Sequence, residues 1–157
     1  KSPAEVAPIV LAGLRPAMLE LAASEARGAH PYLVPPEHTR RAREILGPAT
    51  WLCPEQMVLR ETDPVRARSV GREVLKVYTR LPNYQRNLRD FGFGDVDFEH
   101  GGSDKLVDAI IAWGDDASIL ARIEAHFEVG ADHVCIQPLR ADGQPGPDIA
   151  ALEALAR

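Results

Sequence analysis

Little in this chain is extreme, and what is scarce in it excludes whole classes of protein. There are two cysteines, Cys53 and Cys135, in 157 residues, with no C-x-x-C spacing. They lie in separate apolar runs and read as small core residues of a cytoplasmic protein, neither a disulfide nor a metal pair. There is no basic tract and the net charge is -5, so the positive face of a nucleic-acid binder is missing. The apolar runs fall far short of the ~20 residues of a membrane span, and no signal peptide opens the sequence. No Walker loop, G-x-G-x-x-G, H-E-x-x-H, G-x-S-x-G or EF-hand pattern occurs. The chain begins at Lys1 without a methionine, which suggests a piece of something longer.

Four short apolar segments remain: "PIVLAGL" (Pro8 to Leu14), "HPYLV" (His30 to Val34), "WLCPEQMVL" (Trp51 to Leu59) and "HVCIQPL" (His133 to Leu139). They are too unalternating for surface strands and resemble strands buried on both faces of a parallel sheet. Helical periodicity fills the gaps over Pro16 to Arg27, Glu37 to Leu46, Asp63 to Leu81, Ser103 to Trp113 and Asp116 to Val129. In the third of these Val70, Val74, Val77 and Leu81 form one stripe. "NYQRNLRDFGFGDVDFEHGG" (Asn83 to Gly102) has little periodicity and reads as a lid or a surface excursion. Repeated βα units imply parallel strands with right-handed crossovers. Two closures are open, a doubly wound sheet or part of a (β/α)8 barrel. A whole barrel needs ~250 residues, so four units make half of one.

In either closure ligands sit at the carboxyl ends of the strands, where free amides at helix starts suit phosphate. The turn Ala12-Gly13-Leu14-Arg15-Pro16 and the stretch Tyr32-Leu33-Val34-Pro35-Pro36 occupy such positions. Arg40, Arg41 and Arg43 crowd the start of the following helix, where the macrodipole disfavours cations, and an anion bound nearby would offset that. His30, His38, His100, His126 and His133 match no metal-site spacing. Asp115-Asp116 reads as a helix cap and not an acid–base dyad.

The order and wording of these segments carry a resemblance. "PIVLAGLRPAMLELAASEARGAHPYLVPPEHTRRAREILGP", "VLRETDPVRARSVGREVLKVYTRLPNYQRNLRDFGF" and "WGDDASILARIEAHFEVGADHVCIQPL" together resemble the carboxyl-terminal half of a luciferase-like monooxygenase superfamily protein. Within it, the likeness is to the branch of oxidoreductases that use the deazaflavin coenzyme F420. The resemblance implies an α/β fold of the (β/α)8 TIM-barrel type. Residues 1–157 would supply strands five to eight as one domain, with a helical insertion at about 82–114.

It also implies an oxidoreductase that transfers hydride between reduced coenzyme F420 (8-hydroxy-5-deazaflavin) and a small organic substrate. The alternatives are an FMN-dependent monooxygenase and a non-catalytic half-barrel that assembles with a partner chain. The catalytic residues are expected in the amino-terminal half. Ala12, Gly13, Leu14, Arg15, Tyr32, Leu33, Val34 and Pro36 are the implied cofactor-binding residues. The family often has a second glycine where Leu14 or Arg15 stands, so the Arg15 side chain is expected to help hold the phosphate. No metal, nucleic acid or membrane is expected; a homo-oligomer, with a homodimer as its simplest form, is.

Overall fold

The computed structural model describes residues 7–155, and the ends of the 1–157 domain lie outside them. Its elements follow the chain as β1 (Val10–Leu11), α1 (Pro16–Glu25), β2 (Gly28–Ala29), α2 (Pro36–Leu46), β3 (Trp51–Leu52), β4 (Glu55–Leu59), α3 (Pro64–Tyr78) and α4 (Pro82–Arg89). A 3-10 turn (Asp95–Gly101), α5 (Asp104–Ile110), β5 (Ile111–Trp113), α6 (Asp116–Glu128), β6 (Cys135–Leu139) and α7 (Ile149–Leu155) complete it.

All strand pairs are parallel, in the orders β1-β2-β3 and β5-β4-β6. The two sheets share a spine. Pro54 has no amide hydrogen and interrupts the ladder between β3 and β4, but Cys53 and Glu55 on either side donate to the Ala29 and Pro31 carbonyls, both at 2.9 Å. Because β6 pairs with β4 over Glu55 to Leu59, β2 and β5 occupy its other edge in succession. The strand order runs without reversal.

The helices α1, α2, α6 and α7 cover one face of this sheet. Leu52 and Ala29 pack there against Leu19, Ala22, Ala42 and Leu46, and Val58 packs against Ile119 and Leu155. Full burial of a side chain such as Leu52 contributes roughly 1.5–3 kcal/mol. The opposite face is divided. At the carboxyl end of β4, Met57 and Leu59 join Leu75, Leu88, Phe93, Phe98, Leu106 and Ile111 in the largest core cluster; towards the amino end the face opens into a recess.

Several local expectations hold and several need correction. Asp63 caps α3 by accepting from the Val65 and Arg66 amides at 2.9 and 3.0 Å, with Pro64 at the first helical position. Asp115 caps α6 through the Ser118 amide at 2.8 Å, while Asp116 pairs with Arg60 at 2.7 Å. The "HPYLV" strand is displaced: the ladder takes Gly28 and Ala29 instead, because β2 must lie so close to Trp51 that a Cβ on Gly28 would come within 2.6 Å of it. Burial on both faces holds for β4 but not for β1, where Val10 is 36% exposed.

The helix expected to run to Trp113 stops at Ile110; Ile111–Trp113 instead extends along β4 and buries Ile111 and Ala112. In α3 the fully buried stripe is Ala67, Gly71, Leu75; Val70 and Val74 flank it, half-buried against the same core, while Val77 is 62% exposed. The small residues face inward because α5 crosses there at short range. The stretch Asn83 to Gly102 is not an aperiodic loop. It forms α4 and the 3-10 turn, and buries Leu88, Phe93 and Phe98. Two short elements joined at Asp90–Gly94 cannot sustain one period, which is why the pattern was invisible.

The α3–α5 contact yields a stability prediction. A Cβ on Gly71 would lie 2.6 Å from Val107 Cγ1 and 3.0 Å from Ile111 Cδ1. Alanine gains about 1 kcal/mol of helix propensity over glycine, but overpacking against β-branched neighbours costs typically 1–3 kcal/mol. Gly71→Ala is expected to lower the urea midpoint; an unchanged or raised midpoint would mean that α5 moves aside freely.

Candidate functional site

Two strand-to-helix turns stand side by side. The His30 amide donates to the Leu11 carbonyl at 2.8 Å, and His38 in the first turn of α2 donates from Nε2 to the Leu14 carbonyl at 2.7 Å. The structure therefore brings Ala12–Arg15 together with the chain leading to Pro36. Ala12 is exposed, Gly13 buried, and Leu14 and Arg15 half-buried. Gly13 has no positive φ, and a Cβ there would make ordinary contacts at 3.4–3.6 Å. Arg15 and Pro35 are extended N-cap residues without a side-chain cap, and each is followed by proline. The next amides, those of Ala17 and Glu37, are among the donors a helix start leaves for a ligand.

Beyond β2, Leu33 and Val34 are buried, while Tyr32 and Pro36 are half-buried. Leu33 has φ 60°, a left-handed conformation that costs a non-glycine residue of order 1–3 kcal/mol. It points the Leu33 amide at Glu55 Oε2, 3.3 Å away. Glu55 is the residue that the reading of "WLCPEQMVL" passed over. It lies on β4 in register with Cys135 and is 5% exposed; its Oε1 is buried with no partner among the described residues. Burial pushes its carboxyl up to about 7, opposed by the Leu33 amide. The available signal was a carboxylate inside an otherwise apolar strand.

A ring of tyrosines stands beside it. Tyr32 Oη lies 3.0 Å from Tyr78 Oη and donates to Gln137 Oε1 at 3.0 Å. Tyr84 packs edge-on against Tyr78, with ring centroids 5.2 Å apart. Burial, then the Tyr78 hydrogen bond, then the Glu55 charge push the Tyr32 hydroxyl far above its ordinary value. Tyr32, Glu55 and Gln137 thus form a polar cluster drawn from the chain beyond β2, from β4 and from β6, closed over by α3 and α4. Tyr78, Tyr84 and Gln137 were not singled out in the sequence because three distant segments supply them.

The open recess, about 690 Å³, lies towards the amino ends of the strands and is lined by Val10, His30, Trp51, Cys53, His133 and Cys135. Both cysteines are free and half-buried, on adjoining strands. The core placement expected for them is therefore corrected: they face the recess. Burial raises both thiols.

Two of the three arginines of α2 find partners within the protein. Arg41 pairs with Asp90 of the insertion at 3.5 Å. Arg43 lies in the last turn, not the first, where a cation suits the dipole. It donates to the carbonyls of Gly130, Gly47 and Thr50 at 2.8, 2.6 and 2.8 Å, and to Asp132 at 2.6 Å. Arg40 is exposed. Among the described residues the Arg15 side chain makes no hydrogen bond or ion pair, although its carbonyl accepts from the Met18 and Leu19 amides at 2.9 and 3.0 Å. His126, fully buried, accepts from Thr39 Oγ1 at 2.8 Å and donates to Gln56 Oε1 at 3.1 Å; burial drops it to about 4. His100 is exposed. Among the described residues no helix is long and apolar enough to cross a membrane.

Against known proteins, no family model matches the chain, and no curated protein does. Solved structures do. The coenzyme F420 dependent tetrahydromethanopterin reductase of Methanopyrus kandleri superposes with a TM-score of 0.68 at 16% identity, over 94% of this chain and 48% of that one. An F420-dependent secondary alcohol dehydrogenase in complex with an F420-acetone adduct gives 0.63 at 13%, over 99% and 51%. The type II Baeyer-Villiger monooxygenase of the Pseudomonas putida CAM plasmid, the oxygenating constituent of 3,6-diketocamphane monooxygenase in complex with FMN, gives 0.59 at 15%, over 84% and 42%. All three are luciferase-like superfamily proteins. This chain shares their fold and spans about half their length.

Glu55 makes stability depend on pH in a stated direction. Its folded carboxyl titrates near 7 against 4.5 for the free group, so the unfolded state sheds the proton first. Its contribution is fully present below about pH 4.5 and is lost as pH rises to 7; the total is about 3 kcal/mol. Glu55→Gln keeps the shape and removes the charge. It is expected to flatten this segment of the pH–stability curve and to raise the denaturation midpoint at pH 8. An unaltered slope would show that Glu55 ionises as an ordinary surface carboxylate.

Proposed function

We propose that this chain is the carboxyl-terminal half of a (β/α)8-barrel oxidoreductase that binds coenzyme F420 and transfers hydride between it and a small organic substrate. The observation that carries the reading is the superposition on an F420-dependent reductase over 94% of the chain, joined by a second F420 enzyme. Strands in unbroken order, with α1, α2, α6 and α7 on one face, suit a barrel segment better than a doubly wound sheet, whose helices cover both faces. Exposed Val10 on β1 and Ile9 just before it fit an edge over which further strands close.

The residues present fit the coenzyme. It is an anion through its phosphate, and the two adjacent helix starts with their uncapped amides, plus the Arg15 side chain, which has no partner among the described residues, form a suitable cradle. Arg15 and the amides of Ala17 and Glu37 would hold the phosphate, with Gly13, Leu14 and Pro36 shaping the wall. When bound, the deazaflavin supplies the hydride chemistry. Glu55 holds a proton at near-neutral pH in a water-poor setting, and Tyr32 with Gln137 offers a hydrogen-bonded path beside it. A carboxyl poised near the working pH is what proton exchange with a substrate requires. An FMN-dependent monooxygenase is the second reading, because one neighbour of this fold holds FMN.

Titration of the intact protein with each cofactor tests this. F420 is expected to bind and FMN to bind weakly or not at all; binding of FMN alone overturns the first reading in favour of the second. Arg15→Ala should weaken F420 about ten- to hundredfold, the loss of one charge-assisted hydrogen bond. Arg43→Ala should lower the thermal midpoint through its four lost bonds while leaving the affinity of the folded protein unchanged.

A further inference from the structure

Where the insertion meets the β1–α1 turn, two buried polar atoms have no partner among the described residues: Nδ1 of His38 and Nδ2 of Asn87. The residues are 2% and 3% exposed. Both line one cavity of about 10 Å³, which Leu14 closes from the turn and Phe91 from the insertion. The chemistry of the two atoms is complementary. His38 Nε2 is 2.7 Å from the Leu14 carbonyl, which can only accept, so that nitrogen carries the ring hydrogen. Burial holds the imidazole neutral, and Nδ1 is therefore a bare acceptor. Asn87 Nδ2 is a donor. A buried acceptor and a buried donor, carried by two side chains that line one small cavity, are the partners an ordered water needs, and the volume is at the lower limit of about 10–15 Å³ for one molecule.

We propose that this cavity is a single-water site, in which the water accepts from Asn87 Nδ2 and donates to His38 Nδ1. The bridge completes a hydrogen-bonded chain from the Leu14 carbonyl through His38 to α4. The position of the insertion is thereby tied to the turn Ala12–Arg15 through hydrogen bonds as well as through apolar packing. Two contacts flank the bridge and set its geometry. The Phe91 ring lies 5.5 Å from the His38 ring between centroids, and the Arg41–Asp90 pair, 3.5 Å, stands at the solvent rim. The wet rim gives the water its route in. The site rests on these residues alone and does not depend on which cofactor the protein takes.

A crystal structure of the protein, at a resolution that shows ordered solvent, is expected to place one water about 2.7–3.2 Å from both atoms. A cavity without solvent density, or a direct His38–Asn87 hydrogen bond, overturns the proposal. Hydrogen exchange of the α4 amides gives an independent readout. Asn87→Leu should speed that exchange about two- to tenfold, the range for losing one neutral hydrogen bond. In the double variant with His38→Phe, exchange should be no faster than in His38→Phe alone, because one water serves both side chains. Additive effects of the two substitutions would show that no shared molecule joins them. If either variant fails to fold, the solvent density decides.

Discussion

Everything in this molecule is arranged around one strand buried on both sides. β4 has no exposed residue from Glu55 to Leu59, although two of its five side chains are polar. A buried polar group must find hydrogen bonds or pay its desolvation. Gln56 finds them all: its amide donates to the Met57 and Ile110 carbonyls, each at 2.8 Å, and its oxygen accepts from His126. Through His126 and Thr39 that demand reaches α6 and α2, so satisfying one glutamine fixes two helices of the outer layer. Glu55, facing the other way, is only half satisfied. That imbalance leaves a carboxyl able to carry a proton at neutral pH, in a strand that is otherwise core.

The segment from α4 through α5 is anchored by a different logic. Its aromatic residues complete the core over Met57 and Leu59, while its polar residues meet α2 through Asp90 and Arg41. Arg68 and Arg72 brace it from α3, pairing with Asp104, and Arg68 also reaches Asp108 at 2.7 Å. The pairs are partly exposed and each contributes little by itself. Their value lies in fixing where the apolar surfaces meet. The tyrosine cluster follows from the same docking, since Tyr78 and Tyr84 come from α3 and α4, and Tyr32 from the chain beyond β2.

Much of the fold was legible from local chemistry. Pro64 after Asp63, Asp115 before α6, and the apolar runs separated by helical periods all state their structure within a few residues of chain, because capping and periodicity are short-range effects. The parallel α/β class followed from the order of those elements, and the two strand-to-helix turns were placed where they stand. Three kinds of feature escaped. Short elements such as α4 and β5 have too few residues to show a period. The inward stripe of α3 uses alanine and glycine because α5 packs close, a fact held by Val107 and Ile111 and not by α3. The α2 arginines suggested an anion because their true partners, Asp90 and the carbonyls around Gly130, lie far away in sequence.

The sequence by itself determined the longer helices with their caps, the parallel arrangement and the two turns at the strand ends, since each depends on neighbours within a helix turn or a strand length. Only the tertiary structure decided that Glu55 is the perturbed carboxyl, that Tyr32 meets Gln137 across 105 positions, and that His38 and Asn87 share a cavity. Burial and hydrogen-bond pairing are properties of what surrounds an atom. In a chain that returns to one strand from four directions, those surroundings come from residues that no local pattern connects.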